Sequence, residues 1–424
     1  MTTDRIVSTY WIETPYPVER AAEMLAGEQS TGTFVAIPGE TDELKERFRA
    51  RVENIRLLET VDTPSLPDFR SPKSPDGKLR FYRAEVSVSI PLEMTGTDLT
   101  AALAAVMGNV SELGEASGIR LLDLEFPPAF VEGCPRPQFG IAGTRRLAGV
   151  YERPIIGSII KPSVGLTPEQ TAAMVRELAQ AGIDFVKDDE LIANPPYSPL
   201  EKRVAAVMRV INQHAERTGK QVMYAFNISD DRVDAMLRHH DLVLAAGGTC
   251  LMLSINHVGL AAVMAVRRRA QLPIHAHRNG WGMLTRCPSL GIDYRAYQKI
   301  WRLAGVDQLH VNGLQNKFWE PDDSVVRSIQ ACLTPLFRAE DCLMPVVSSG
   351  QWGGQAPETY RRTQTVDVMY LAGGGIQAHP GGPAAGVAAI RQAWEAARAG
   401  IALEEYARDH VELRQALEKF GKRN

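Results

Sequence analysis

The feature that most restricts how this chain can fold is a rhythm that starts near residue 154 and runs to residue 373. A short apolar run with strand character is followed by a stretch with helical spacing, and the alternation occurs eight times. The strand candidates are IIGSII (155–160), DFVKDD (184–189), VMYAFNI (222–228), CLMLSI (250–255), PIHAHR (273–278), DQLHVN (307–312), LMPVVSS (343–349) and DVMYLAG (367–373). Near-continuous apolar strands suit a sheet covered on both faces, and helical crossovers suit parallel pairing. Eight βα units in series therefore predict an α/β fold closed into a (β/α)8 barrel.

Residues 1–135 lack this repeat. Strand-like IVSTYWIET, helical PVERAAEMLAGE, helical TDELKERFRARVENIRLLE, alternating LRFYRAEVSVSIPL and helical TDLTAALAAVMGNV predict a separate α+β domain, of ferredoxin-like type. The Pro-, Gly- and Arg-rich segment 136–153 is expected to be a linker, 154–400 the barrel, and 401–424 an amphipathic helical tail serving packing. A hydrophobic content of 45% supplies more than one core, and a net charge of −3 leaves no basic stripe for phosphates or membrane surfaces. Nucleic acid and membranes are thus not expected as partners. Five cysteines without CxxC spacing suggest neither zinc nor a disulfide framework. With no signal-like N-terminus and no apolar run of ~20 residues, a soluble protein of the reducing cytoplasm is expected.

Polar residues gather at the C-terminal ends of the predicted strands: Lys161, Lys187 with Asp189 and Glu190, Asn227, Asn256, His277 with Arg278, His310, Ser348 with Ser349, then Gly373 to Gly375. That mouth carries the active site of such barrels. Asp189 and Glu190 are hard oxygen donors suited to Mg2+. Lys187 shares a strand face with Asp189, and two readings of it stand open: a salt bridge in a solvated loop, or a lysine carbamylated by CO2 that becomes a third oxygen ligand. A second lysine nearby, Lys161, would disfavour the charged form of Lys187. His277, Arg278 and His310 suit a phosphate, as does the glycine run of LAGGGIQAHPGG. Lys317, in GLQNKFWE, sits in a loop placed to close over substrate.

GSIIKPSVGL, DFVKDDE, IHAHR, HVNGLQNK and AGGGIQAHP, with GEQSTGTFV upstream, resemble the large subunit of ribulose-bisphosphate carboxylase/oxygenase, Rubisco, in order along nearly the whole chain. The resemblance implies that Lys187 is the carbamylated lysine, with Asp189 and Glu190 as its co-ligands for Mg2+. It implies that Arg278, His310 and Ser348 hold one substrate phosphate, with Thr33, Lys317, Gly350, Gly373 and Gly374 around the other. His277 would contact substrate and Lys161 would handle protons. It further implies a homodimer, or a higher assembly, in which Glu28 and Asn109 reach the partner's site.

Departures lie in the pocket: Ser163 replaces the second lysine of the family's Lys-Pro-Lys motif, Trp281 replaces a histidine, Phe34 replaces a tryptophan, and the loop around Lys317 is bulkier. The chain is accordingly similar to the Rubisco-like proteins of form IV, non-photosynthetic branch, and CO2 fixation on ribulose bisphosphate is not expected. The implied activity is Mg2+-dependent enolisation of a phosphorylated keto sugar or keto sugar acid, first of all as a 3-oxo-isoapionate 4-phosphate transcarboxylase/hydrolase forming 3-phosphoglycerate and glycolate. The alternatives are a 5-methylthioribulose 1-phosphate isomerase or 2,3-diketo-5-methylthiopentyl-1-phosphate enolase, and, of another class, an inactive binding or regulatory homologue.

Overall fold

A computed structural model describes residues 4–31, 38–67, 71 and 78–421. The chain divides into two compact units, Met1–Pro135 with Gly280–Ala304, and Arg136–Asn279 with Gly305–Asn424.

In the first unit, β1 (Arg5–Thr14) alternates so that Ile6, Ser8, Tyr10 and Ile12 are buried. It pairs antiparallel with β3 (Phe81–Pro91) and β4 (Gly118–Glu125), and β3 pairs antiparallel with β2 (Arg51–Val61). Helices Val18–Glu28 and Leu99–Met107 make the crossovers, the second started by Asp98, whose carboxylate accepts from the N–H groups of Thr100 and Ala101. The strand order β4-β1-β3-β2 with these helices is the expected ferredoxin-like arrangement.

Two features of this unit differ from expectation. Residues 41–59 were expected to be one helix; only Asp42–Phe48 is helical, and Arg51–Val61 is β2. The Arg, Glu and Leu content of that stretch favours helix locally, but pairing with β3 overrides it, with register shifts at Val52/Asn54 and Leu57/Glu59. The charged, largely exposed face of β2 suits a sheet edge. Residues 280–304, expected within the barrel, also belong here. Strand Leu290–Ile292 adds parallel to β4, and the Arg120 guanidinium donates to the carbonyls of Thr285, Cys287, Leu290 and Ile292.

The second unit is the expected barrel, with all eight strands: β5 (Ile155–Ile159), β6 (Phe185–Lys187), β7 (Met223–Asn227), β8 (Cys250–Ser254), β9 (Ile274–His277), then, after β10 (the Leu290–Ile292 strand above), β11 (Gln308–His310), β12 (Met344–Val347) and β13 (Met369–Leu371). The sheet closes in the order β11-β12-β13-β5-β6-β7-β8-β9. Every second residue points inward, and Ile155, Phe185, Met223, Ala225, Cys250, Met252, Met344, Val346, Met369 and Leu371 form one buried cluster. At Gly157 a Cβ would lie 2.4 Å from Leu371 and 2.9 Å from Phe185, so the packed interior admits no side chain there.

Segment 136–153 is not a simple linker. It carries helix Gly140–Ala148, and Ala148 and Val150 join the barrel's buried cluster. The Asp307 carboxylate accepts from the N–H groups of Gln138, Phe139 and Gly140 at 2.9, 2.6 and 3.1 Å and from Arg267 at 2.9 Å, which ties the segment to the foot of β11. Helices Gly382–Ala399, Leu403–Tyr406 and Val411–Phe420 end the unit, with Ala389, Ala416 and Phe420 packed together. Among the described residues no helix is long and apolar enough to cross a membrane.

Candidate active site

Strand β6 delivers the acidic end of the mouth. Lys187 is 1% exposed, and its Nζ donates to the Asp188 carbonyl at 2.9 Å, with the Glu190 carboxylate at 3.4 Å and the Met252 sulfur at 3.6 Å. Burial draws its pKa down, against the pull of Glu190 and Asp189. Lys161, at the end of β5, donates to Asp189 and to the Ser163 hydroxyl, both at 2.6 Å. The serine that replaces the family's second lysine thus helps fix the first. Neighbouring Asp188 points the other way, into a buried pair with Arg203.

Glu190 lies 3.3 Å from His277 on β9. Burial pushes the Glu190 carboxyl up, but His277 and Lys187 beside it outweigh that and hold it at about 2. Burial, with Lys187, lowers His277 to about 4. Near neutrality, then, Glu190 is an anion and His277 an uncharged ring, so their close approach is not an ion pair. His277 Nδ1 accepts from the Asn279 N–H at 3.3 Å, which leaves the ring hydrogen on Nε2, the nitrogen 3.3 Å from the Glu190 carboxylate.

The His277 ring packs against His310 at 4.5 Å between centroids, and His310 Nδ1 meets the Ser348 hydroxyl at 3.0 Å. Arg278, 5% exposed, donates to Glu320 at 3.1 Å. Glu320 also accepts from Asn312 at 2.6 Å and Ser324 at 2.8 Å, and the Ser349 hydroxyl donates to Asn312 at 2.7 Å. Asn312 and Ser349 both have positive φ, 67° and 76°, a left-handed conformation that asparagine adopts readily and serine only rarely. Gly350 follows with φ 86°, its backbone beside Lys317, whose N–H donates to the Ser349 carbonyl at 3.2 Å.

Lys317 itself is exposed, with Nζ over the Phe318 ring. The loop expected to close over substrate is cross-tied: Asn316 donates to the carbonyls of Gly313 and Glu320, and Gln351 to that of Leu314. Gly373, after β13, lies against the Lys161 side chain, where a Cβ would be 3.7 Å from Lys161 Cε, and Gly374 opens a short helix that ends at Gln377. One circuit therefore links Lys161, Asp189, Glu190, Lys187, His277, His310, Ser348, Gly350, Lys317 and Gly373 around a single barrel mouth.

Other expected residues lie elsewhere. Glu28 and Asn109 are in the first unit, where Asn109 Nδ2 is 3.5 Å from the Glu28 carboxylate. Trp281 is also there, buried against Tyr294 and Tyr297. Thr33 and Phe34 fall outside the described residues. Sequence reasoning passed over Glu320, Gln308 and His275. The last two precede His310 and His277 by two residues, so strand periodicity alone places each pair on one inward face.

Among the described residues no group of three His, Cys, Asp or Glu side chains is assembled to hold a metal. A third anionic ligand beside Asp189 and Glu190 would come from Lys187. Its desolvation favours the neutral amine that adds CO2, so the donor set fits Mg2+ with Lys187 as carbamate.

Residues 140–420 match the family described as ribulose bisphosphate carboxylase large chain, catalytic domain, and residues 1–66 match the N-terminal domain of the same chain. Two relatives are each 54% identical. One is a 3-oxo-isoapionate-4-phosphate decarboxylase of Rhizobium etli, aligned over 98% of this chain and 99% of its own. The other, with the same coverage, is a 3-oxo-isoapionate-4-phosphate transcarboxylase/hydrolase of Xanthobacter autotrophicus. Among solved structures, a rubisco-like protein from Burkholderia fungorum superposes with a TM-score of 0.91 at 45% identity, covering 98% of this chain and 100% of that one. A dimeric archaeal Rubisco from Hyperthermus butylicus superposes with a TM-score of 0.83 at 30% identity, covering 99% and 97%.

Proposed function

The chain belongs to the Rubisco large-chain family, and from that footing we propose that it acts on 3-oxo-isoapionate 4-phosphate, breaking the bond to the carboxyl carbon. One observation carries the reading: a single mouth holds two adjacent carboxylates, a desolvated lysine and a histidine–serine–arginine end suited to phosphate. Relatives equally similar to the chain, named for that substrate, support it.

Asp189, Glu190 and carbamylated Lys187 would hold Mg2+, and the bound ion would supply Lewis acidity to the substrate's oxo group. Arg278, His310 and Ser348 fix the phosphate, so binding energy remote from the reaction orients the carbon that changes. When the carboxyl carbon leaves, its bonding pair becomes an enolate. Lys161 Nζ, aimed by Ser163 and Asp189, stabilises the negative oxygen and can return a proton to carbon. Neutral His277 donates through Nε2–H without adding charge.

The two relatives' names differ in the fate of the carboxyl group. In the transcarboxylase/hydrolase outcome it is passed to the neighbouring carbon, the former oxo carbon, while the hydroxyl on the carbon it left gives up its proton and becomes the new ketone; water adds to that ketone and splits the carbon–carbon bond to give 3-phosphoglycerate and glycolate. In the decarboxylase outcome it leaves as CO2 and the enolate is protonated. Glu28 and Asn109 are proposed to complete the mouth of a partner in a homodimer.

Purified protein with Mg2+ and bicarbonate should consume 3-oxo-isoapionate 4-phosphate. Phosphoglycerate with glycolate supports the first outcome, and CO2 with a phosphorylated ketose the second; no consumption removes the proposal. Labelled bicarbonate with ribulose bisphosphate should give no labelled acid.

A further inference from the structure

Beneath the mouth, Gln308, His275 and His310 form a hydrogen-bonded column among side chains at most 5% exposed. Gln308 Oε1 lies 2.8 Å from His275 Nδ1, His275 Nε2 lies 2.9 Å from His310 Nε2, and His310 Nδ1 lies 3.0 Å from the Ser348 hydroxyl. The two rings meet edge to face, 86° apart.

A neutral imidazole has one donor and one acceptor nitrogen, so a contact between two ring nitrogens forces opposite roles on them. The far end of Gln308 decides which. Its amide nitrogen faces the Thr144 hydroxyl at 3.2 Å and the Met223 sulfur at 3.7 Å, and a thioether can only accept. The amide oxygen therefore faces His275, whose Nδ1 must carry the hydrogen. His275 Nε2 is then a bare acceptor, His310 Nε2 must donate to it, and His310 Nδ1 is left as the acceptor of the Ser348 hydroxyl. Burial, the largest influence on both rings, favours the neutral forms this pattern needs.

We infer that Gln308 and His275 are positioning residues that lock His310 as its Nε2–H tautomer, with Nδ1 turned toward Ser348 and the phosphate end of the substrate. The lock prevents the ring from turning or exchanging tautomers, so the His310–Ser348 pair meets an arriving phosphate in one arrangement. The phosphate role of that end rests on the function proposed above; the tautomers do not.

Histidine-15N-labelled protein, with His310 assigned by His310→Gln and His275 by His275→Asn, gives the test. Long-range proton–nitrogen correlations should show opposite tautomers, Nδ1–H for His275 and Nε2–H for His310. Gln308→Leu, which removes the acceptor, should mix the tautomers of both rings and weaken binding of inorganic phosphate roughly tenfold, the scale of one lost buried hydrogen bond. Gln308→Glu, which keeps an acceptor, should restore both.

The same tautomer on both rings in the unsubstituted protein overturns the inference, and so do unchanged tautomers in Gln308→Leu. If Gln308→Leu does not fold by circular dichroism, the spectrum of the unsubstituted protein decides alone. Unaltered phosphate affinity in His310→Gln would instead remove the phosphate reading of that end and leave the tautomers to judge the column.

Discussion

Asp188→Asn should destabilise the barrel severely although it removes no atom volume. Asp188 and Arg203 are both 0% exposed, with the guanidinium Nε 3.2 Å from the carboxylate. The same carboxylate accepts from the Tyr224 hydroxyl at 2.6 Å and the Asn227 N–H at 2.9 Å, while Arg203 also donates to the carbonyls of Ser198 and Ala193. Asparagine offers one acceptor where two oxygens served three donors, and turns an NH2 toward one of them. Arg203 would keep a buried charge without an anion.

Removing one partner of such a pair costs about 3–5 kcal/mol. The second unit spans Arg136–Asn279 and Gly305–Asn424, about 260 residues, and at ~2.1 cal/mol/K of unfolding entropy per residue the loss lowers Tm by about 5–9 °C. Because Asp188 sits between Lys187 and Asp189, turnover should fall with it. Thermal unfolding by calorimetry measures the shift. A variant melting within about 2 °C of the parent would refute the claim that this pair anchors the end of β6.

Lys187→Arg should abolish turnover and leave the melting temperature nearly unchanged, since a guanidinium cannot form the carbamate; full activity with Mg2+ would refute the ligand role. Removal of metal by a chelator should likewise stop turnover, and Mg2+ with bicarbonate should restore it. Glu320→Ala strips the acceptor from Arg278, Asn312 and Ser324, so kcat/KM should fall at least tenfold, chiefly through KM; an unchanged KM would separate Glu320 from the phosphate end. Asp184 is buried, which raises its carboxyl, but Arg153 and Lys220 outweigh that and lower it. The unfolded chain then binds the extra proton, so the stability it lends is present above about pH 4 and is lost as pH falls through its folded value. Asp184→Asn should be less stable than the parent at pH 7, with the gap narrowing in acid unfolding below about pH 4.

The barrel and the composition of its mouth were legible in the sequence because both are local. An apolar run followed by a helical spacing marks each βα unit, and a polar residue at the end of each run marks the rim, whatever lies across the sheet. Lys161, Lys187, Asp189, Glu190, His277, Arg278, His310 and Ser348 were found that way. The extent of β2 was not, because pairing with β3 outweighs the helical preference of Arg51–Val61. Nor was the transfer of Leu290–Ile292 to the sheet of the first unit, which depends on β4 and Arg120, some 170 residues earlier.

The partners within the mouth were likewise decided in three dimensions. Glu320 balances Arg278 and Gln308 orders His275 and His310 through contacts spanning 42, 33 and 35 residues of chain. A sequence determines which groups a strand presents and on which face, since that is backbone periodicity. Which donor meets which acceptor, and so which nitrogen keeps its hydrogen, is set only when the sheet closes and burial makes an unpaired polar group costly.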